Sequence, residues 1–129
     1  MKIYISHSRN FNYQRDLYEP LKNSSLAQEH EFIFPHIDSE KPFESKKTFE
    51  ANECQLIIAE VSLPSTGQGI ELGWANMKQL PIIALHNSQA KISGSLAGLC
   101  KKIIPYKNTI AEIIDELKQA INEGTDRGE

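Results

Sequence analysis

Hydrophobic and polar positions follow two rhythms along this chain, short apolar runs and longer stretches with apolar residues three and four apart. Residues 2–6, KIYIS, form the first apolar run and predict a strand. The stretch FNYQRDLYEPLKNSSLA follows, with Tyr13, Leu17 and Leu21 at i, i+4 and i+8, which predicts a helix. Pro20 falls inside that pattern and predicts a kink or change of register, while NSS marks a stop. Residues 31–35, EFIFP, read as a second strand, HIDSEKP as a loop, and FESKKTFEANE as a polar, weakly amphipathic helix. Residues 55–61, QLIIAEV, are continuously apolar except for Glu60. That composition suits a strand covered on both faces, near the centre of a parallel sheet.

A turn-rich loop, SLPSTGQG, precedes a helix IELGWANMKQ and a fourth strand LPIIAL over residues 80–85. HNSQAKISGSLAGL reads as a second loop region with one helical turn, and KIIP over 102–105 as a fifth strand. The last helix is announced by Thr109 and Glu112 in capping-box spacing. Its stripe of Ile110, Ile113, Ile114, Leu117 and Ile121 ends before Gly124 and reads as core. Five alternations of strand and helix, with connections mostly too long for hairpins, predict an α/β fold. The expected architecture is a doubly wound five-stranded parallel sheet, a flavodoxin-like or Rossmann-like three-layer sandwich. One domain spans residues 1–129, with a frayed tail from about residue 124.

Composition narrows the partners more than the fold. A chain of 129 residues, 40% hydrophobic and 24% charged, matches one globular domain. The net charge of −3 is small and the 14 Lys and Arg form no run, so neither a nucleic-acid nor a membrane surface is expected. A small-molecule or protein partner fits better. The N-terminal segment lacks a cleavage-type signal, and no apolar run nears the roughly 20 residues a spanning helix needs, so a cytoplasmic location is expected. Cys54 and Cys100 make neither a CxxC nor a disulfide framework and read as reduced, buried fillers.

In doubly wound sheets, ligands bind outside the carboxyl ends of the strands, where strand order reverses. That rule brings forward Tyr4, Ser6, His7 and Ser8, then His36 and Asp38, then Ser62, Ser65 and Thr66, and finally His86, Asn87 and Ser88. Gly67 and Gly69 would let backbone approach a ligand, and a helix's first turn binds anions. Glu71 lies just beyond. From spacing alone it reads equally as a dipole-complementing surface acid or as a functional carboxylate. The stretch has no GK[ST], which argues against a P-loop. No third ligand accompanies His7 and His86 at a credible spacing, so no metal is expected. Trp74 reads as sheet packing sooner than as a base-stacking group, and Asp38 as a turn cap sooner than as a ribose contact.

The segment QLIIAEVSLPSTGQGIELGWA followed by KQLPIIAL resembles the centre of the nucleoside 2-deoxyribosyltransferase family. The likeness is greatest to its 2'-deoxynucleoside 5'-phosphate N-hydrolase branch, through AEVSLPSTGQGIELG. KIYIS with Tyr4, FPHID with His36 and SGS with Ser95 match in order, so the resemblance extends to about Leu99. It implies that Glu71 is the nucleophile that attacks the anomeric carbon, with water or a second base then taking the sugar. It implies that Tyr4 holds that carboxylate and that Ser65 contacts the 5' end of the ribose, a phosphate in the hydrolase branch. Ser95 matches a serine that reaches the phosphate of a neighbouring subunit's ligand, so a homo-oligomer is implied. No cofactor is implied. Ser6, His36, Gly67 and Gly69 are assigned with Ser65 and Ser95 to substrate binding.

The chemistry agrees with these assignments. Breaking an N-glycosidic bond passes through an oxocarbenium-like state that a nearby carboxylate stabilises or traps, and the departing base needs a proton from a second acid. Ungapped alignment puts Lys47 where the family carries that acid. Three readings stay open. Glu50 or Glu44 supplies the carboxylate from a neighbouring helical position; the ligand or Lys47 supplies the proton; or the protein binds a nucleotide without cleaving it. Glu50 is taken as the leading candidate for the acid.

Overall fold

The computed structural model describes residues 1–38 and 43–125, with the side chains of residues 124 and 125 left aside. The end of the predicted 36–42 loop and most of the predicted frayed tail therefore lie outside the described residues. Five strands, β1 (Lys2–His7), β2 (Glu31–Ile33), β3 (Leu56–Glu60), β4 (Ile82–Asn87) and β5 (Lys102–Tyr106), form one sheet in the order β2-β1-β3-β4-β5. Every neighbouring pair is parallel. The expected doubly wound α/β class is the one observed, and its strand order reverses between β1 and β3.

Burial follows the alternation of each strand. Ile3 and Ile5 of β1, with Leu56 and Ile58 of β3, face a cluster that includes Leu17, Leu21, Leu117 and Ile121. Tyr4 points the other way, as do Ile57, Ala59 and Ala84, toward Phe49, Leu72 and Ala75. Ala59 and Ala84 offer only methyl groups on that face, which lets the covering helix come close.

The first helical region is broken where the sequence predicts one helix. A π-helical turn, Gln14–Tyr18, leads into α1 (Glu19–Lys22), and α2 (Leu26–Glu29) follows after the Asn23–Ser25 stop. Pro20 has no N–H to give to the preceding turn, and the wider π turn accommodates the missing bond. The polar helix shortens to α3 (Ser45–Glu50). Helix α4 (Thr66–Met77) starts a full turn earlier than expected, taking in both glycines, because the Ser65 hydroxyl accepts the Gln68 N–H at 3.3 Å and caps it. β4 is shifted past Pro81, and the β5 strand gains Tyr106. The capping box forms, Glu112 accepting the Thr109 N–H at 3.1 Å, but the first turn is a tight 3-10 turn, Ile110–Ile113. α5 (Ile114–Thr125) then runs through Gly124 instead of stopping before it.

Helices α3 and α4 end alike. Beyond α3, the Glu53 N–H reaches the Thr48 carbonyl and the Asn52 N–H the Phe49 carbonyl, with Asn52 at φ 56°. Beyond α4, the Leu80 N–H reaches the Ala75 carbonyl and the Gln79 N–H the Asn76 carbonyl, with Gln79 at φ 60°. Both are Schellman closures, which put one residue in the left-handed region. Asn tolerates that region and Gln does not. Gln79→Gly is therefore expected to raise the unfolding free energy by about 1 kcal/mol, and Asn52→Gly by less. Urea unfolding at constant m-value measures both.

Candidate active site

Glu71 sits in the second turn of α4, on the side of the helix that crosses the carboxyl end of β1. Its Oε2 accepts a hydrogen bond from the Tyr4 hydroxyl, and its Oε1 accepts one from the Ser6 hydroxyl at 2.9 Å. Tyr4 and Ser6 are two apart on β1, so both face α4, and both are fully buried. Two fixed donors thus hold one carboxylate, each oxygen keeping a lone pair for other chemistry.

The Tyr4 hydroxyl has a second partner, the Ser45 Oγ at 2.6 Å. Tyr4 spends its one proton on Glu71, so Ser45 is the donor in the other bond, and the order of donation runs Ser45 to Tyr4 to Glu71. Burial, followed by the Glu71 charge, pushes the Tyr4 phenol well above its usual range and keeps it neutral. Ser45 carried no signal in the sequence beyond standing near the start of a predicted helix.

A cleft of about 460 Å³ opens over the carboxylate, lined by Phe43, Glu44, Ser45, Lys46, Lys47, Gly67, Ile70, Glu71 and Trp74. Trp74 also meets the Phe49 ring at 6.0 Å, so it packs and lines at once. Lys47 stands on the cleft's rim in an exposed pair with Glu44 at 2.9 Å. Glu50 is not among the residues lining the cleft; its carboxylate pairs at 3.6 Å with Lys46, which is one of them. Glu44, the residue before α3, is the acid besides Glu71 that lines it, with its side chain still largely exposed.

Across α4 lies a second cleft of about 310 Å³, bounded by Ser65, Gln68, Gly69 and the loop carrying Lys91, Ser93 and Ser95. Ser65 and Ser95 therefore share one cleft of a single chain. Gly67 opens on the Glu71 side and Gly69 on the other. A Cβ built on either would meet nothing within 4 Å.

His36 belongs to a third group, on the opposite face of the sheet. Its N–H donates to the Tyr18 hydroxyl at 3.0 Å, and its ring stands 5.3 Å from that of His7. The His7 Nδ1 gives its proton to the Ser8 carbonyl at 2.8 Å, so Nε2 accepts from the Tyr18 hydroxyl at 2.6 Å. Both ring nitrogens are thus engaged within the protein. Glu60, the one interruption of the third apolar run, is buried and accepts from the Ser62 N–H at 2.7 Å, the Ser62 hydroxyl at 2.9 Å and the Tyr106 hydroxyl. It ties the start of the β3–α4 loop to β5. Both cysteines are free thiols, Cys54 in the core and Cys100 half-buried. No helix among the described residues is long and apolar enough to cross a membrane.

Fold and site together define a class: a parallel α/β protein whose switch-point crevice presents a doubly hydrogen-bonded carboxylate on the helix after the third strand. Comparison with known proteins shows what the chain is similar to. It is 28% identical to a protein of Syntrophotalea carbinolica named "Putative 2'-deoxynucleoside 5'-phosphate N-hydrolase 1", over 95% of this chain and 96% of that one. A Methanosarcina barkeri protein of the same name is 33% identical over 70 residues, half of this chain and 44% of that one. The solved structure of Clostridium botulinum CMP N-glycosidase, BcmB, matches with a TM-score of 0.64 at 21% identity, covering 92% of this chain and 99% of that one, which shows a shared fold. No protein-family model matches. The resemblance to the nucleoside 2-deoxyribosyltransferase family, through its N-hydrolase branch, thus extends along nearly the whole chain.

The buried imidazole sets a pH dependence of stability. Burial depresses His7 from 6.5 to about 4, and burial depresses His36 in the same direction. A depressed folded-state value means that the unfolded chain binds the proton first, so His7 costs nothing above pH 6.5 and destabilises increasingly as pH falls from 6.5 to about 4. The thermal midpoint is expected to fall across that window, and His7→Gln to flatten most of the fall. Differential scanning calorimetry in a pH series reads the slope.

Proposed function

We propose that this protein is an enzyme that cleaves the N-glycosidic bond of a nucleotide, a (2'-deoxy)nucleoside 5'-monophosphate, by nucleophilic attack of Glu71. The observation that carries the proposal is the carboxylate itself, held at both oxygens by Tyr4 and Ser6 and open to a cleft at the switch point. The likeness, over 95% of this chain, to a protein named "Putative 2'-deoxynucleoside 5'-phosphate N-hydrolase 1" supports the reaction class.

In the proposed first step a Glu71 oxygen bonds to the anomeric carbon as the carbon–nitrogen bond to the base breaks, and the base leaves with that electron pair and a proton. Tyr4 and Ser6 hold the carboxylate in line with the carbon, and as it becomes an ester their bonds weaken together. Water then attacks the anomeric carbon, frees Glu71 and gives the sugar 5-phosphate; a second base in place of water would give exchange. Hydrolysis of a 5'-monophosphate is preferred over base transfer, because Ser65 stands where transferases of the family this chain resembles tend to carry an acid, which would repel a phosphate. In this reading Glu44, which lines the cleft, passes to the leaving base a proton drawn from its ion-pair partner Lys47, and the attacking water of the second step returns a proton to that pair. A homo-oligomer is proposed as well, supported by Ile70, Trp74 and Met77, which line one side of α4 with Ile70 and Met77 exposed. One observation favours a second reading, a protein that binds nucleotides without cleaving them: the position where the family carries its second acid is a lysine with its charge neutralised by Glu44.

A panel of deoxynucleosides and their 5'-monophosphates, with and without a free acceptor base, decides between them when released base is resolved by chromatography. Glu71→Ala is expected to lower base release by about 10³-fold or more, and Tyr4→Phe by roughly 10- to 100-fold. Equal release by the parent and by Glu71→Ala removes the nucleophile, and binding of a monophosphate without turnover of any substrate establishes the second reading. A further comparison locates the acid: Glu44→Gln is expected to lower kcat roughly tenfold or more, with Glu50→Gln near the parent value.

A further inference from the structure

The two clefts that flank α4 differ in charge. The Glu71 cleft is lined by two acids and two lysines, whereas the described lining of the other carries one charged side chain, Lys91. Lys91 makes no ion pair among the described residues. Around it stand hydroxyls that each accept one backbone N–H. The Ser65 Oγ accepts the Gln68 N–H at 3.3 Å, and the Ser93 Oγ accepts the Ser95 N–H at 3.2 Å. Each of these serines therefore has its own proton to donate. The first turn of the helix that Ser65 caps also borders the same cleft. A cation without a partner, hydroxyl donors and a helix N-terminus, with no carboxylate among them, form a lining that favours an anion and repels nothing negative.

We propose that Lys91 is the group that reads the 5'-phosphate, and that it makes this protein select nucleoside 5'-monophosphates over nucleosides. The inference rests on the nucleotide reading above and adds to it a residue of the connection between β4 and β5. Ser65 alone supplies one neutral donor, which a ribose hydroxyl satisfies as well as a phosphate oxygen does. Lys91 distinguishes the two, because its ammonium gains little from a hydroxyl and a charge-assisted bond from a phosphate. Leu63, Ile92 and Leu96 line the same cleft and offer a phosphate no competing polar group.

The test is a calorimetric titration with a deoxynucleoside 5'-monophosphate and, separately, with the same deoxynucleoside, with Glu71→Gln present throughout to stop turnover. The Lys91-containing chain is expected to prefer the monophosphate by tenfold or more. Lys91→Ala is expected to reduce the monophosphate affinity roughly tenfold and leave the nucleoside affinity unchanged, while Lys91→Arg keeps the preference. An undiminished preference in Lys91→Ala, or no preference in the parent, overturns the proposal. A merely structural role for Lys91 would lower both affinities together and overturns it too. Base release by the protein with Glu71 intact is scored in parallel, so that failure of the cleavage reading, with phosphate selection intact, stays distinct from failure of this one.

Discussion

The pair of hydrogen bonds that Tyr4 and Ser6 give to Glu71 ties the first strand to the helix after the third strand. A carboxylate beside two fully buried residues is costly unless its oxygens are satisfied, so the pair is a condition of placing an acid there at all. Much of the fold serves that condition. Insertion of β1 between β2 and β3 brings residues 4 and 6 under α4. The small side chains Ala59 and Ala84 let the helix approach, and the Ser65 cap sets where its first turn begins. Glu60 anchors the loop between from the other face of the sheet, through the Ser62 backbone and the Tyr106 hydroxyl.

What could be read in advance follows from how local each feature is. Strand positions and order class were legible because apolar runs such as 55–61 and the 110–121 stripe carry their own period. The breaks at Pro20 and the early start of α4 were legible only as hints, since a π turn and a Ser cap depend on one bond each. Tyr4 and Glu71 could be brought to one ligand edge by the strand-end rule, but their contact is 67 residues apart in sequence and only the assembled sheet shows it. Ser45 was invisible, because its importance comes entirely from the partner it meets. Positions 44 and 50 show a related limit: helical spacing says which residues share a face, and not which of them borders a cleft. Glu44, just before α3, lines the cleft and pairs with Lys47, whereas Glu50 pairs with Lys46, and both carboxylates are largely exposed.

Helix α4 is the common wall of two chemically different clefts, and its sequence shows why it is lean. Gly67 faces one cleft and Gly69 the other, and neither would clash with the protein if it carried a Cβ. What they spare is therefore open space on both sides of the helix start, not room for a neighbouring element. A side chain at 67 would project into the cleft that holds Glu71, and one at 69 into the cleft that holds Lys91. A ligand that reaches from a carboxylate that needs a carbon to a cation that needs an anion has to pass the first turn of α4, where both glycines lie. The separation of charge across one helix keeps Lys91 and Glu71 in different clefts, so the cation does not neutralise the carboxylate and the carboxylate does not lower the positive potential around the cation. The Lys47–Glu44 pair on the far rim is neutral as a unit and adds nothing to either cleft's net field at a distance, which leaves that division intact.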